Sequence, residues 1–203
     1  TTTEDYAAYA LSTSDWTCPR AALSLRALVG HSDDVSCCAF SPDGGTLVTG
    51  SYDGTARVWT ASDWSCLCTL AGHDRGVLGC VFSPDGGTLV TTSADHKAHV
   101  WSAGDWSHLR ALTGDIESLT SCAFSPDGRT LVTTSNDRTA RVWDTGDWSC
   151  LRIFVKGQTD GVWSCAFAPN GGCLVTVSHG GIVHVWADDI DHHNDGTDDD
   201  VGT

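Results

Sequence analysis

The side chains most able to do chemistry occur in sets. His31, Ser51 and Asp53 recur 42 residues later as His73, Ser93 and Asp95, and Ser135 and Asp137 continue the series. Ser, His and Asp are the residue types of a nucleophile–base–orienter triad, in which an imidazole takes the hydroxyl proton and a carboxylate holds the ring. One active site needs such a set once, so its recurrence in consecutive units points to a structural use. A second candidate lies near the C-terminal end, where "DHHNDG" (191–196) puts Asp191, His193 and Asp195 at alternate positions before a glycine. That is how a calcium loop begins, but the closing bidentate carboxylate at position 12 falls on Gly202, which has nothing to coordinate with. His192 and His193 are weak transition-metal ligands there. No GxSxG elbow, phosphate-cradling glycine loop or His-Glu-x-x-His occurs. The expectation is a protein that is not an enzyme and needs no cofactor, with calcium at the tail as the weak exception.

The elements that carry these residues are set by a period. Trp59, Trp101, Trp143 and Trp186 lie 42, 42 and 43 residues apart, and "SPDG" at 41–44, 83–86 and 125–128 keeps step, with "APNG" at 168–171 as a looser copy. Self-similarity at about 40–45 residues is the signature of a β-propeller, and it is too long for ankyrin, tetratricopeptide or leucine-rich repeats. Within a unit, a short apolar run such as Val35–Phe40 leads to a Pro-Asp-Gly turn, in which Pro presets φ and Gly tolerates positive φ. "TLVT" follows as a β-branched strand, then a turn bearing Asp, then "ARVW", then an outer strand such as "SCLCTL" (65–70). Four short strands with turn chemistry between them make one blade. No long 3.6-residue apolar period is present, so an all-β chain with almost no helix is expected.

These residues resemble the WD40 repeat, whose pattern is Gly-His, a turn Asp and a closing Trp-Asp. Gly30-His31 goes with Asp53 and Trp59, and Gly72-His73 with Asp95 and Trp101. In the third unit Asp115 takes the His position, with Asp137 and Trp143 in place; in the fourth, Gln158 and Gly180 replace His and Asp, and Trp186 remains. The full Trp-Asp dipeptide occurs only at Trp143-Asp144. The resemblance covers roughly residues 30–187 and implies a hydrogen-bonded tetrad of His, strand hydroxyl, Asp and Trp in each blade. By position, the hydroxyls are Ser51, Ser93 and Ser135. Such a network suits a buried indole N–H and a buried imidazole, both of which need partners. The fourth blade is expected to be less well tied.

A second repeat, Asp-Trp, occurs at 15–16, 63–64, 105–106 and 147–148. Each of these Trp residues is placed in the turn between the third and fourth strands, either packing on the blade edge or forming an aromatic belt for a partner or a carbohydrate. Using this turn as a ruler, "DYAAYALSTSDWTC" (5–18) aligns with "DGTARVWTASDWSC" (53–66). Residues 1–29 then supply the last two strands of a blade. Four WD40-like repeats follow at 30–71, 72–113, 114–156 and 157–187, and 188–203 form an acidic, flexible tail. About four to five blades are represented. The family is typically seven-bladed, which needs about 300 residues. Three arrangements stand open: a window on a longer polypeptide, an unusually small closed ring, or blades completed between chains by strand addition.

Net charge is −15, and the tail after Trp186 holds seven Asp and no Lys or Arg. A phosphate backbone wants a basic face, so nucleic acid is not expected as a partner, and no apolar run near 18 residues offers a membrane span. Ten Cys are present without a CxxC pair, which argues against structural zinc. Cys38, Cys80, Cys122 and Cys165 share one slot on the innermost strand and read as buried free thiols, while Cys37, Cys68 and Cys173 leave room for one or two disulfides. The resemblance implies a non-catalytic scaffold binding other proteins, or copies of itself, with the cytoplasm as the family's default compartment and an extracellular place left open. The contact residues are expected in the loops before each first strand (Ser32, Asp33, Asp34, Asp74, Arg75, Glu117, Asp160) and in the turns at Tyr52, His96, Arg138 and His179. The alternatives are a structural subunit of a homopolymer joined by strand exchange, and a calcium-dependent or carbohydrate-binding module.

Overall fold

A computed structural model describes residues 7–12, 24–155 and 160–187. The described residues form five antiparallel sheets and no helix. A leading pair, β1 (Ala7–Ser12) and β2 (Ser24–Val29), is followed by three four-stranded blades. The first blade is β3 (Val35–Phe40), β4 (Thr46–Ser51), β5 (Thr55–Thr60) and β6 (Cys66–Ala71). The second is β7 (Val77–Phe82), β8 (Thr88–Ser93), β9 (Ala98–Ser102) and β10 (His108–Leu112), and the third is β11 (Leu119–Phe124), β12 (Thr130–Ser135), β13 (Ala140–Asp144) and β14 (Cys150–Phe154). The fourth has three strands, β15 (Val162–Phe167), β16 (Cys173–Ser178) and β17 (Val183–Ala187).

Each blade is a meander, and the reason is local. In the Ser-Pro-Asp-Gly turn, Asp43 Oδ1 accepts from the Gly45 amide at 2.9 Å, Ser41 Oγ accepts from the Thr46 amide at 2.9 Å, and Gly44 sits at φ 70°. The first strands of successive blades lie side by side, β3 against β7, β7 against β11 and β11 against β15. Ser36 Oγ donates to the Val77 carbonyl, and Thr120 Oγ1 to the Val162 carbonyl at 2.6 Å, stitching one inner strand to the next.

The core therefore sits between blades. Val48, Ala56, Val58 and Leu70 of the first blade pack with Phe82, Leu89 and Trp101 of the second, and the same arrangement recurs at the next two junctions. Burial of such side chains contributes about 1.5–3 kcal/mol each, so every blade depends on its neighbour. The ring is not closed. On the fourth blade Val183 and Val185 are 58 % and 65 % exposed, whereas Val58 and Val100, one residue before their own Trp as Val185 is, are fully buried. The expected alternative of a small closed ring is thereby corrected: the described strands fill an arc, and no described blade lies against the outer face of the fourth.

Candidate functional site

The repeated polar residues are drawn together inside each blade. His31 Nδ1 lies 2.9 Å from Asp53 Oδ2, and a carboxylate can only accept, so Nδ1 carries the proton. His31 Nε2 is then an acceptor and takes the hydroxyl of Thr49 at 2.9 Å, while Thr49 Oγ1 accepts from Trp59 Nε1 at 2.9 Å. The proton direction runs unbroken from Trp59 through Thr49 and His31 to Asp53. The second blade repeats it: His73 to Asp95 at 2.9 Å, His73 to Thr91 at 2.8 Å and Trp101 to Thr91 at 3.0 Å. Burial acts upward on Asp53, but donations from Thr55, Ser32 and His31 outweigh it and hold the carboxyl well below the usual carboxylate range. Burial likewise lowers His73 despite the Asp95 carboxylate beside it.

The hydroxyl in this network is Thr49, Thr91 or Thr133, which corrects the expectation of Ser51, Ser93 and Ser135. Trp59 pairs across the ladder with Leu47, so Thr49 is its diagonal neighbour on the same face. Ser51 is four residues from Leu47, roughly 13 Å along the strand. The serines do a different job: Ser51 Oγ donates to the Asp33 carbonyl at 3.0 Å and accepts from the Asp53 amide at 3.1 Å. Ser93 and Ser135 do the same with Arg75 and Asp95 and with Glu117 and Asp137.

In the third blade Asp115 stands where the imidazole would be. Arg141 Nε donates to Asp115 Oδ1 at 2.7 Å, and Asp115 Oδ2 is buried without a hydrogen-bond partner. Burial pushes this carboxyl up although Arg141 is next to it. Trp143 still donates to Thr133 at 3.0 Å, and in the fourth blade Trp186 donates to Thr176 at 3.0 Å. Gln158 lies outside the described residues.

The loops before the inner strands and the turns after the second strands meet at one end of the blades. The Tyr52 amide donates to the Asp34 carbonyl at 2.9 Å, Ala94 to Gly76 at 3.0 Å, Asn136 to Ser118 at 3.0 Å and His179 to Gly161 at 3.0 Å. Ser32, Asp33, Asp34, Tyr52, Asp74, Arg75, Glu117, Arg138, Asp160 and His179 are exposed there, and His96 is half-buried. Trp163, on β15, is 60 % exposed and meets His179 edge-on at 4.8 Å. Its signal was an aromatic at the strand position that Ser36, Leu78 and Thr120 hold in the other units.

The family model described as "WD domain, G-beta repeat" matches residues 23–60, 64–102, 106–144 and 148–187. The chain belongs to the WD40 repeat family. Each matched WD40 unit begins with the outer strand of one blade and ends with the third strand of the next, which interlocks neighbouring blades. A serine-threonine kinase receptor-associated protein of Dictyostelium discoideum is 57 % identical over 30 residues, 15 % of this chain and 10 % of that protein. Human WD repeat-containing protein 86 is 43 % identical over 47 residues, 23 % of this chain and 12 % of the relative. The solved structure of U3-55K superposes with a TM-score of 0.74 at 26 % identity, covering 80 % of this chain and 51 % of that one. The chain thus spans about half the length of this structural relative, and its matches to the curated relatives cover about a tenth of theirs.

Beyond the WD40 framework, the three described Asp-Trp turns pack inward, and Asp15-Trp16 lies outside the described residues. Trp64, Trp106 and Trp148 adopt φ of 65°, 60° and 62° and are half-buried. Trp106 packs on the core between the first and second blades and Trp148 on that between the second and third. They are junction seals and not a belt open to a ligand. Five residues after Trp186 the chain has Asp191 instead of Trp, outside the described residues with His193 and Asp195. The corresponding junction carries a groove of about 940 Å³ lined by Pro126, Phe154, Phe167, Pro169 and Trp186.

Nine cysteines lie among the described residues and all are free, Cys37, Cys68 and Cys173 included. Cys122 and Cys165 are buried, Cys80 is half-buried and Cys38 is exposed. Cys38 departs from the expected burial: among the described residues the leading pair has two strands, and no inner strand there covers it.

Proposed function

We propose that this chain is a non-catalytic scaffold for protein–protein interaction and that the loop-and-turn end of the blades is its contact surface. WD40 propellers are generally such scaffolds, and the relatives are WD-repeat proteins. The observation that carries the reading is the division of labour within each unit. In the first two blades the His, Thr, Asp and Trp of the network satisfy one another inside the blade, and in the other two the Trp–Thr bond remains, while the exposed loop positions differ from unit to unit. Asp33, Asp34, Asp74, Glu117 and Asp160 outnumber Arg75 and Arg138 at this end, so a partner with a basic segment fits it.

The test is affinity capture with the wild-type chain and two variants of unchanged thermal stability. One reverses charge at the proposed end (Asp34→Lys, Asp74→Lys, Glu117→Lys, Asp160→Lys), the other changes charge at exposed positions of the opposite turns whose side chains hold no turn hydrogen bond (Gly104→Lys, Arg129→Glu). Loss of the same partners only in the first is the expected result. Equal loss in both, or in neither, rejects the surface.

A second reading, a homopolymer joined through incomplete blades, is favoured by the bare face at Val183 and Val185. Its test is light scattering at two concentrations. A mass that rises with concentration, and that Val185→Lys abolishes, supports it; a constant monomer rejects it.

A further inference from the structure

The second blade differs from its neighbours at one position. Opposite the bridging threonine, the third strand carries Arg57, His99, Arg141 and His184 in turn, paired with Thr49, Thr91, Thr133 and Thr176. Among the described blades, the second alone sets a histidine here beside an intact His–Asp pair. His99 is 6 % exposed, and its Nδ1 is buried with no hydrogen-bond partner. Leaving such a nitrogen unpaired costs about 1–3 kcal/mol. Arg57 Nε and His184 Nδ1, at the same position of the first and fourth blades, are also buried without a partner, so what singles out the second blade is a free imidazole nitrogen beside a His–Asp pair. The His99 ring lies 4.1 Å from that of His73 at 31°, and one ligating atom from each of His73, Asp95 and His99 lies within 4.8 Å of the others.

We propose that His73, Asp95 and His99 form a binding site for a divalent transition-metal ion of the zinc class. Two imidazoles and a carboxylate, with a fourth position left for water, are the donor set of an open zinc site. Hard calcium and magnesium prefer all-oxygen shells and fit it poorly. A tetrahedral ion with bonds of about 2.0–2.2 Å holds its ligand atoms about 3.4 Å apart, so the widest of these separations closes by about 1.4 Å on loading.

The proton balance is simple. Without metal, His73 donates from Nδ1 to Asp95 and accepts at Nε2 from Thr91. To bind through Nδ1, His73 moves its proton to Nε2, where Thr91 Oγ1 accepts it alongside Trp101 Nε1–H and the Thr91 hydroxyl proton rotates away from the ring; no net proton is released. The neighbours explain why the site is confined to this blade. A guanidinium occupies the position in the first and third blades, and Arg141 is already bound to Asp115 at 2.7 Å. His108 is exposed, its ring 4.7 Å from that of His99, and it marks the side from which an ion enters.

The experiment titrates the full chain with zinc chloride, followed by calorimetry and thermal melting, and with cobalt chloride, followed by absorption. Three variants accompany it: His99→Arg, which copies the first and third blades; His99→Gln, in case the arginine disturbs the fold; and the tail double variant His192→Ala, His193→Ala. The expected result is one equivalent of tightly bound zinc, a raised melting temperature and cobalt ligand-field bands without thiolate charge transfer. Affinity should fall more than tenfold in either His99 variant and stay unchanged in the tail variant. No binding by the wild type, a thiolate band, equal binding by the His99 variants, or loss in the tail variant would each overturn the assignment.

Discussion

Trp59 and His31 meet at a single atom: Thr49 Oγ1 accepts from the indole Nε1–H at 2.9 Å and donates to the imidazole Nε2 at 2.9 Å. Removing the hydroxyl while keeping the shape, as Thr49→Val does, leaves two buried groups unpaired at once. The expected loss is about 3 kcal/mol, against about 1 kcal/mol for Ser51→Ala, whose hydroxyl only ties a loop to a turn. Urea unfolding of both variants checks the order. If Ser51→Ala is the more damaging, the network has been assigned to the wrong hydroxyl.

The difference between these two residues shows what the sequence made legible. Period, turns and strand order could be read because each depends on residues next to one another in the chain. Thr49 and Ser51 face the same side of β4, so alternation does not separate them. Only the pairing of Leu47 with Trp59 does, and register is a property of two strands. Counting ladder positions back from the Asp-bearing turn would have found Thr49. His99 was missed for the same reason. It is an unremarkable strand residue until pairing sets it opposite Thr91 and packing lays its ring on His73. Trp163 was missed because its exposure depends on the open arc.

Asp53 makes the stability of the first blade depend on pH in a predictable sense. Its carboxyl is held below its ordinary value in the fold, so the unfolded chain binds the proton more readily. The stabilisation is complete above about pH 3.9, the unfolded value, and is lost as pH falls from there through the folded value. Asp53→Asn should therefore lower the urea midpoint most at pH 7 and progressively less below pH 4. A gap of constant size from pH 7 to pH 3 would show that Asp53 does not act through its charge.

The third blade offers a repair. Asp115 has one buried oxygen unpaired, and its charged form is disfavoured, so its contribution to stability falls as pH rises through its raised range. Asp115→His restores the residue type that bridges Asp and Thr in the first two blades, with Asp137, Thr133 and Trp143 already in place. Arg141 loses the carboxylate but keeps the Gly114 carbonyl, to which it donates at 2.8 Å, and Arg57 occupies the same position beside His31 in the first blade. The net effect expected at pH 7.5 is a gain of about 1 kcal/mol, read as a higher melting temperature. A loss would mean that the Arg141–Asp115 pair contributes more than the network it displaces.

Trp106 combines a favourable side chain with an unfavourable backbone. Its ring meets Phe82 edge-on at 6.3 Å and covers the core between the first and second blades, yet its φ is 60°, where a Cβ is crowded. Two substitutions separate these effects. Trp106→Ala loses the packing and keeps the strain, for an expected cost of about 3 kcal/mol. Trp106→Gly loses the same packing but accepts positive φ freely, so it should be the less destabilised by about 1 kcal/mol, although glycine is normally the worse choice in a folded chain. Chemical denaturation of the pair decides it. Should alanine prove the more stable, the left-handed turn is not a source of strain and the Asp-Trp repeat is held by side-chain packing alone.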